Sequence, residues 1–291
     1  MMTRTRRAGF AILVLSLGGC LQIGSLEWAS ETSTLEKPAA GIQRLDIQTR
    51  NGAIEVNGRS EVTSVSIEVR KRAGALTKKE AQACLQAIAV DCRVDGEALV
   101  LNWDWAETKK PEWQAAVDFV ITAPETLEVK AGTGSGSIEL TGMNAAAAIE
   151  SGNGALSIRE HRGIASAETA NGQIAVVDLT GNLSAKTGNG KIDADCEASR
   201  IEVDTRNGAV DVDLSGSAVV DGHISTGNGA VELTLGEDLS ARLVCRTGNG
   251  RIRLGSEMKA DITSKNRANL TAGDGAGRLE VSTGNGSITV Q

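Results

Sequence analysis

The chain has 291 residues, with 30 basic and 37 acidic side chains giving a net charge of −7 at pH 7, and 41% hydrophobic residues. That length suffices for a continuous core, while the acid excess argues against a phosphate-backbone binder and against electrostatic adhesion to anionic lipid. Aromatic residues make up only 2%, with four Trp, two Phe and no Tyr, and two His are the only imidazole bases.

Residues 1–19 read as a secretory signal: Arg4, Arg6 and Arg7 precede the apolar run Phe10 to Leu17, which is too short to span a bilayer. Leu17-Gly18-Gly19-Cys20 resembles the bacterial lipobox, which implies cleavage before Cys20 and a diacylglyceryl group on its sulfur. Leu21 rather than Asp after the cysteine fits outer-membrane sorting. Loss of the leader removes three arginines and no acids, so the net charge moves from −7 to −10. Residues 20–41, with Ser, Thr, Glu and Pro38, are expected to tether lipid to fold. The membrane contact is then the lipid alone.

Residues 42–132 form an irregular N-terminal portion. It opens with the corner Thr49-Arg50-Asn51-Gly52, followed by Ile54 and Val56 in period-two alternation. The next corner glycine is 84 residues away, so an insertion is present. Thr77-Lys78-Lys79-Glu80 is a capping box that predicts a helix near 77–90, with Ala81, Cys84, Leu85 and Ile88 on one face. Asp95-Gly96 turns the chain into a strand bearing Leu99, Leu101, Trp103 and Trp105 on one face; Val117, Phe119 and Ile121 form another. This portion is expected to cap the end of the fold. Trp103, Trp105 and Trp113 could form a platform for sugar rings, but alternation puts Trp103 and Trp105 on the buried side, which favours packing. Cys84 and Cys92 could be bridged if the helix stops before residue 92; otherwise they are core cysteines.

Residues 133–291 carry a repeat. After Thr133-Gly134-Ser135-Gly136 come Ser151-Gly152-Asn153-Gly154, Thr169-Ala170-Asn171-Gly172, Thr187-Gly188-Asn189-Gly190, Thr205-Arg206-Asn207-Gly208, Thr226-Gly227-Asn228-Gly229, Thr247-Gly248-Asn249-Gly250 and Thr283-Gly284-Asn285-Gly286. The glycines step by 18 from 136 to 208, then by 21 to 229 and 250, then by 36 to 286; the last step predicts a decayed corner at Ala268 with Arg267 in the Asn position. Asn-Gly signals a tight turn at positive φ. Aliphatic residues recur two and four places after each glycine, as in Ile192 and Ala194 or Val210 and Val212. They recur again two and four places before each corner threonine, as in Val203 and Ile201. Such coils hide their apolar side only by stacking about 4.8 Å apart. The fold class is therefore all-β, a single-domain β-solenoid of 18–21-residue coils with an inserted N-terminal helix. Stacking places corner Thr and Asn side chains in ladders. Pro38, Pro111 and Pro124 all precede the regular stretch. Cys196 and Cys245 are expected as buried free thiols. Ile288 and Val290 end the chain without a capping pattern, so end-to-end self-association is an expected mode of contact.

Little chemistry is visible. The outward row Glu139, Ser157, Ala175, Asp193, Asp211, Glu232 and Arg253, with Asp195 and Asp213 beside it, holds one acidic face. Asp193, Asp211 and Glu232 would be the candidates for a calcium ion, but the dense Asp/Gly loops of calcium-binding rolls are missing. Lys191 and Arg253 fit a solvated face instead. His161 and His223 lie near no nucleophile elbow, and no helix follows any Gly-Asn-Gly to make a phosphate loop. No cofactor, metal or catalytic residue is expected.

The unit Thr-Gly-Asn-Gly-x-Ile/Val-x-Val/Leu and the lead-in Val117 to Gly136 resemble the bacterial putative-adhesin β-solenoid family, a domain of unknown function. The resemblance covers residues 42–291. It implies an envelope-facing, non-enzymatic β-solenoid, associated with adhesion or with envelope-stress systems, and carries over no catalytic residues. The expected function is a lipid-anchored adhesin or scaffold with a protein or glycan partner. A periplasmic accessory of a signalling system is the alternative, and a polysaccharide-active enzyme the third reading.

Overall fold

The computed structural model describes residues 26–216, 219–255 and 260–291. The leader, Cys20 and the lipid attachment lie outside the described residues. Two long sheets face each other, one of 12 strands and one of 13 among the described residues, so the cross-section has two sides.

In the middle of the molecule, strands of the first sheet run Leu156–Arg162, Ile174–Thr180, Ile192–Glu197, Val210–Leu214 and Val231–Leu235, each parallel to the next. Those of the second run Ala147–Asn153, Ala165–Asn171, Leu183–Asn189, Arg200–Asn207 and Asp221–Asn228. Equivalent residues stack directly: Ala147 lies beside Ala165, Leu183 and Ile201 in turn. Alternation sends Ile174, Val176, Ile192, Ala194, Val210 and Val212 inward from one sheet and Ala167, Ala185 and Val203 from the other, all buried. They join one contiguous core reaching from Ile42 to Val290. Each strand covers its neighbours, so the apolar interior is continuous along the rod.

The corners differ from the tight turn that Asn-Gly suggests. No corner asparagine among the described residues has positive φ, and of the corner glycines only Gly52 (φ 141°) and Gly136 (φ 152°) lie in the left-handed range. Crowding explains the glycine. A β-carbon at Gly154 would sit 1.9 Å from the Gly136 carbonyl oxygen, and one at Gly190 would sit 2.0 Å from that of Gly172. The backbones approach too closely for any side chain. The threonine hydroxyls tie the same corner together: Thr187 Oγ1 donates to Gly172 O at 2.9 Å and Thr205 Oγ1 to Gly190 O at 3.1 Å. Outside them runs an amide ladder, in which Asn171, Asn189, Asn207 and Asn228 each donate Nδ2 to the preceding asparagine's Oδ1 at 2.8–2.9 Å.

At the N-terminal end the parallel stack gives way to antiparallel pairing. Residues expected as a tether instead form the edge strand Glu27–Pro38, paired antiparallel with Ser64–Ala75 over its whole length. Its composition is polar because it lies on the sheet's outer edge. Gln114–Pro124 then joins Ser64–Ala75 antiparallel on one side and Ile54–Arg59 parallel on the other. The helix spans Lys78–Gln86, with Thr77 accepting from the Glu80 amide at 3.2 Å, and it buries Ala81, Cys84 and Leu85. It ends at Ala87, where the strand Ile88–Asp95 begins. Cys84 and Cys92 are therefore on different elements, and both are free thiols.

At the C-terminal end chain order and spatial order part. The strands Gly277–Asn285 and Ile288–Val290 sit between Asp221–Asn228 with Val231–Leu235 on one side and Ala241–Asn249 with Ile252–Leu254 on the other. The amide ladder follows space rather than sequence, Asn285 donating to Asn228 and Asn249 to Asn285. The last strand is thus enclosed, and Gln291 O accepts from the Leu235 amide at 2.8 Å. The edge left at this end of the first sheet is Ile252–Leu254, whose Ile252 and Leu254 are only half-buried. Arg253 correspondingly stacks on Thr289 and not on Glu232. Ala268 is no corner. It lies buried in Arg267–Ala272, antiparallel to Ala241–Asn249 and opposite Cys245, because the chain reverses tightly at Lys265-Asn266. Antiparallel strands can be joined by a two-residue turn, and the reversal returns the chain toward the slot that the last strands fill.

Candidate functional site

On the first sheet Asp193 and Asp211 stack in register. Lys191 Nζ lies 2.7 Å from Asp193 and 3.3 Å from Asp211, and the hydrogen bond it donates to Asp193 raises its pKa. An ammonium from the chain itself thus occupies the place where a bridging cation would sit. Glu232 accepts from Gln291 Nε2 at 2.9 Å. Burial, then Asp213 and Asp178, push the Asp195 carboxyl up. Among the described residues no group of three or more His, Cys, Asp or Glu is arranged to hold a metal ion.

Neither histidine has the geometry of a catalytic base. His161 is fully buried with no hydrogen-bond partner on either ring nitrogen, and its register neighbour is Leu179. Burial lowers its pKa; the nearby carbonyls of Ile164 and Met143 oppose that without reaching hydrogen-bond geometry. His223 Nε2 is 2.8 Å from Asp204 Oδ2, and Ser225 Oγ donates to Asp204 Oδ1. Burial works to raise the Asp204 carboxyl, but the bonds from Ser225 and His223 prevail and hold it below the usual range. Serine and imidazole both bond the same carboxylate rather than each other. A nucleophile–base pair is therefore not formed. Cys196 and Cys245 are buried thiols, both pushed up to about 12 by burial and so inert as nucleophiles.

Two of the concave features bear on function. A groove of about 910 Å³ follows the corner side of the second sheet from Gln48 to Arg206. Its floor carries Glu150, Glu168, Lys186 and Asp204, stacked from strand to strand. At its N-terminal end Ser135 replaces asparagine, and Asn51 Nδ2 reaches the Ala115 carbonyl at 3.5 Å instead of continuing the ladder.

Beyond that break all four tryptophans of the chain line one cleft of about 430 Å³. Trp103, on the strand Ala98–Trp105, is buried and donates Nε1 to Thr49 Oγ1 at 2.8 Å. Its ring meets Trp105 edge-on with centroids 5.6 Å apart, and Trp105 meets Trp113 tilted by 36° at 5.9 Å. Trp113 is buried, and its Nε1–H has no acceptor. Trp28 comes from the edge strand, opposite Gly74, and is 56% exposed. Alternation in sequence correctly places Trp103 inside. It does not foresee Trp28, which lies 75 residues upstream of Trp103 and has no local signal tying it to the others.

The molecule is thus an all-β protein built on long parallel sheets, solenoid-like, with a long groove along one corner. The chain matches the Toastrack DUF4097 family over residues 14–230, about three quarters of its length, and belongs to that family. Among solved structures it is similar to a putative adhesin from Bacteroides fragilis NCTC 9343, at 13% identity over 90% of this chain and 97% of the other, with TM-score 0.46. A putative cell adhesion protein from Clostridium sporogenes ATCC 15579 aligns at 13% identity over 90% and 99%, with TM-score 0.29. No curated protein matches the chain.

Proposed function

We propose that this chain is a non-enzymatic lipoprotein of the bacterial envelope, held by a lipid on Cys20, most simply in the outer membrane, and acting as an adhesive or scaffolding rod. The observation that carries the reading is the corner groove, where like positions of successive strands stack in register along one axis and line it with polar side chains, Glu150, Glu168, Lys186 and Asp204 among them. A surface of that kind suits an extended partner lying along the stack. The N-terminal helix and antiparallel strands serve as the cap at one end. Partner classes are proteins and glycans. Nucleic acid is disfavoured by the acid excess.

The test is attachment. A deletion strain should lose adherence or biofilm, wild type should restore it, and Cys20→Ala should restore less. Normal attachment with a disturbed envelope-stress response contradicts the adhesive reading and favours an accessory role.

A further inference from the structure

The tryptophan cleft has the makings of a ligand site that packing alone does not explain. The rest of the core is almost wholly aliphatic, yet every indole of the chain meets here. Trp28 is exposed but not loose. A β-carbon on its cross-strand neighbour Gly74 would come within 3.2 Å of the ring, so glycine lets the indole lie close over the strand. The cleft's wall also holds Trp113, whose buried donor lacks an acceptor, a state that costs free energy until an oxygen satisfies it.

The charge around the rings is one-sided. Lys109 Nζ stands 5.9 Å from the Trp105 centroid and Lys110 Nζ 5.2 Å from that of Trp113, and neither ammonium has a carboxylate within salt-bridge distance among the described residues. Arg50 also lies over Trp103, but its guanidinium is paired with Asp104 at 2.7 Å. A cationic ligand is thereby repelled, since its place over the rings is already taken by lysine. A flat nucleobase finds no pair of parallel faces, because the inner indoles meet at 76° and 36°. Insertion into a membrane needs protruding rings, and here Trp103 and Trp113 are buried.

The geometry points to a site for a pyranose ring bearing a carboxylate, an acidic sugar at or within a polysaccharide chain. One apolar face of the ring stacks on Trp28, the carboxylate meets Lys109 in the cleft wall with Lys110, over Trp113, adding positive charge beside it, and Asn51 and Gln114 at the rim offer amides to its hydroxyls. The cleft's volume suits one or two sugar rings rather than a folded protein. This deepens the adhesive reading by naming the partner's chemistry, and it is tested on purified protein so that the two readings fail separately.

Because all four tryptophans line the cleft, intrinsic fluorescence reports on it directly. The purified chain is titrated with trigalacturonate, with its methyl ester as the uncharged form of the same rings, and with free galacturonate. A saturable change with trigalacturonate is expected, weakened about tenfold or more for the ester and for each of Trp28→Ala and the Lys109→Ala/Lys110→Ala pair. Unchanged melting of both variants shows that they fold. Equal binding of free galacturonate assigns a single terminal ring, and preference for the trimer assigns an internal one; both support the site. Absence of a saturable change up to about 10 mM overturns it, as does equal affinity for the ester. A response to phosphatidylglycerol vesicles and not to sugar overturns it in favour of membrane contact.

Discussion

In the middle of the rod each segment of chain stacks on the segment just before it, whereas at both ends it does not. From Glu128 to Leu235 the strands of each sheet follow in sequence order. At the N-terminal end Gln114–Pro124 and Ser64–Ala75 intervene out of turn, and at the C-terminal end Gly277–Val290 fills a slot between two earlier pairs. The corner chemistry is nevertheless the same in both regions. Asn285 and Asn249 join the amide ladder as Asn189 and Asn207 do. The Thr-x-Asn-Gly unit thus specifies how one strand sits on another, and the connecting segments decide which strand that is.

The largest expected contrast concerns the corner glycines. Gly190→Val in the middle forces a side chain into the Gly172 carbonyl with a strand locked on both sides, and should cost more than about 3 kcal/mol, enough to abolish cooperative folding in a thermal melt followed by circular dichroism. Gly250→Val meets a similar clash with Gly286 O, but its outer strands can part from their neighbour, so the global melting point should fall much less. Equal losses at both positions would break the comparison. A gentler version uses the core. Ile192→Ala, fully buried, should cost about 2–5 kcal/mol in urea denaturation, while Ile252→Ala, half-buried at the end, should cost about 1 kcal/mol or less.

The next effect depends on pH. His161 stands in a column with Leu179, Cys196 and Leu214, and burial holds its folded-state pKa below the ordinary 6.5. As pH falls below about 6.5 the unfolded chain takes up a proton that the folded chain refuses. Stability contributed by the neutral ring is complete above that value and is lost as pH falls toward the folded pKa. Denaturation midpoints measured between pH 7.5 and 5 should drop for the wild type and drop less for His161→Leu. The smallest effect is at the ladder. Asn189→Ala removes one donor and one acceptor at an exposed corner and should cost about 1 kcal/mol.

These contrasts also mark what could be read from the chain beforehand. Inward pairs such as Ile192 and Ala194 declare themselves through alternation, which needs only neighbours two residues apart, and the corner columns through a motif that recurs every 18 residues. Asn-Gly declares a corner but misleads about its cause, which is contact between stacked backbones rather than positive φ. The edge strand Glu27–Pro38 stays hidden because a strand covered by little else needs no apolar alternation. A gap of 36 residues between Gly250 and Gly286 equals two coils only by coincidence; the hairpin turning at Lys265-Asn266 consumes that length, and nothing local records which slot the last strands enter. The tryptophan cleft is hidden for the same reason. It depends on tertiary pairing between Trp28 and a strand ending at Ala75.

The stacking order at the C-terminal end is the point on which the account of the rod can be tested most directly. Ser225, Ser282 and Arg246 occupy the same outward column in that spatial order. Cysteines at 225 and 282 would be about 4.8 Å apart along the stack, and cysteines at 225 and 246 about twice that, beyond the reach of a disulfide. Native Cys196 and Cys245, pushed up to about 12, do not compete for oxidation. After mild oxidation and peptide mapping, the pair Ser225→Cys with Ser282→Cys should be bridged and Ser225→Cys with Arg246→Cys should not. A bridge in the second pair and none in the first would mean that the strands stack in chain order, contradicting the account.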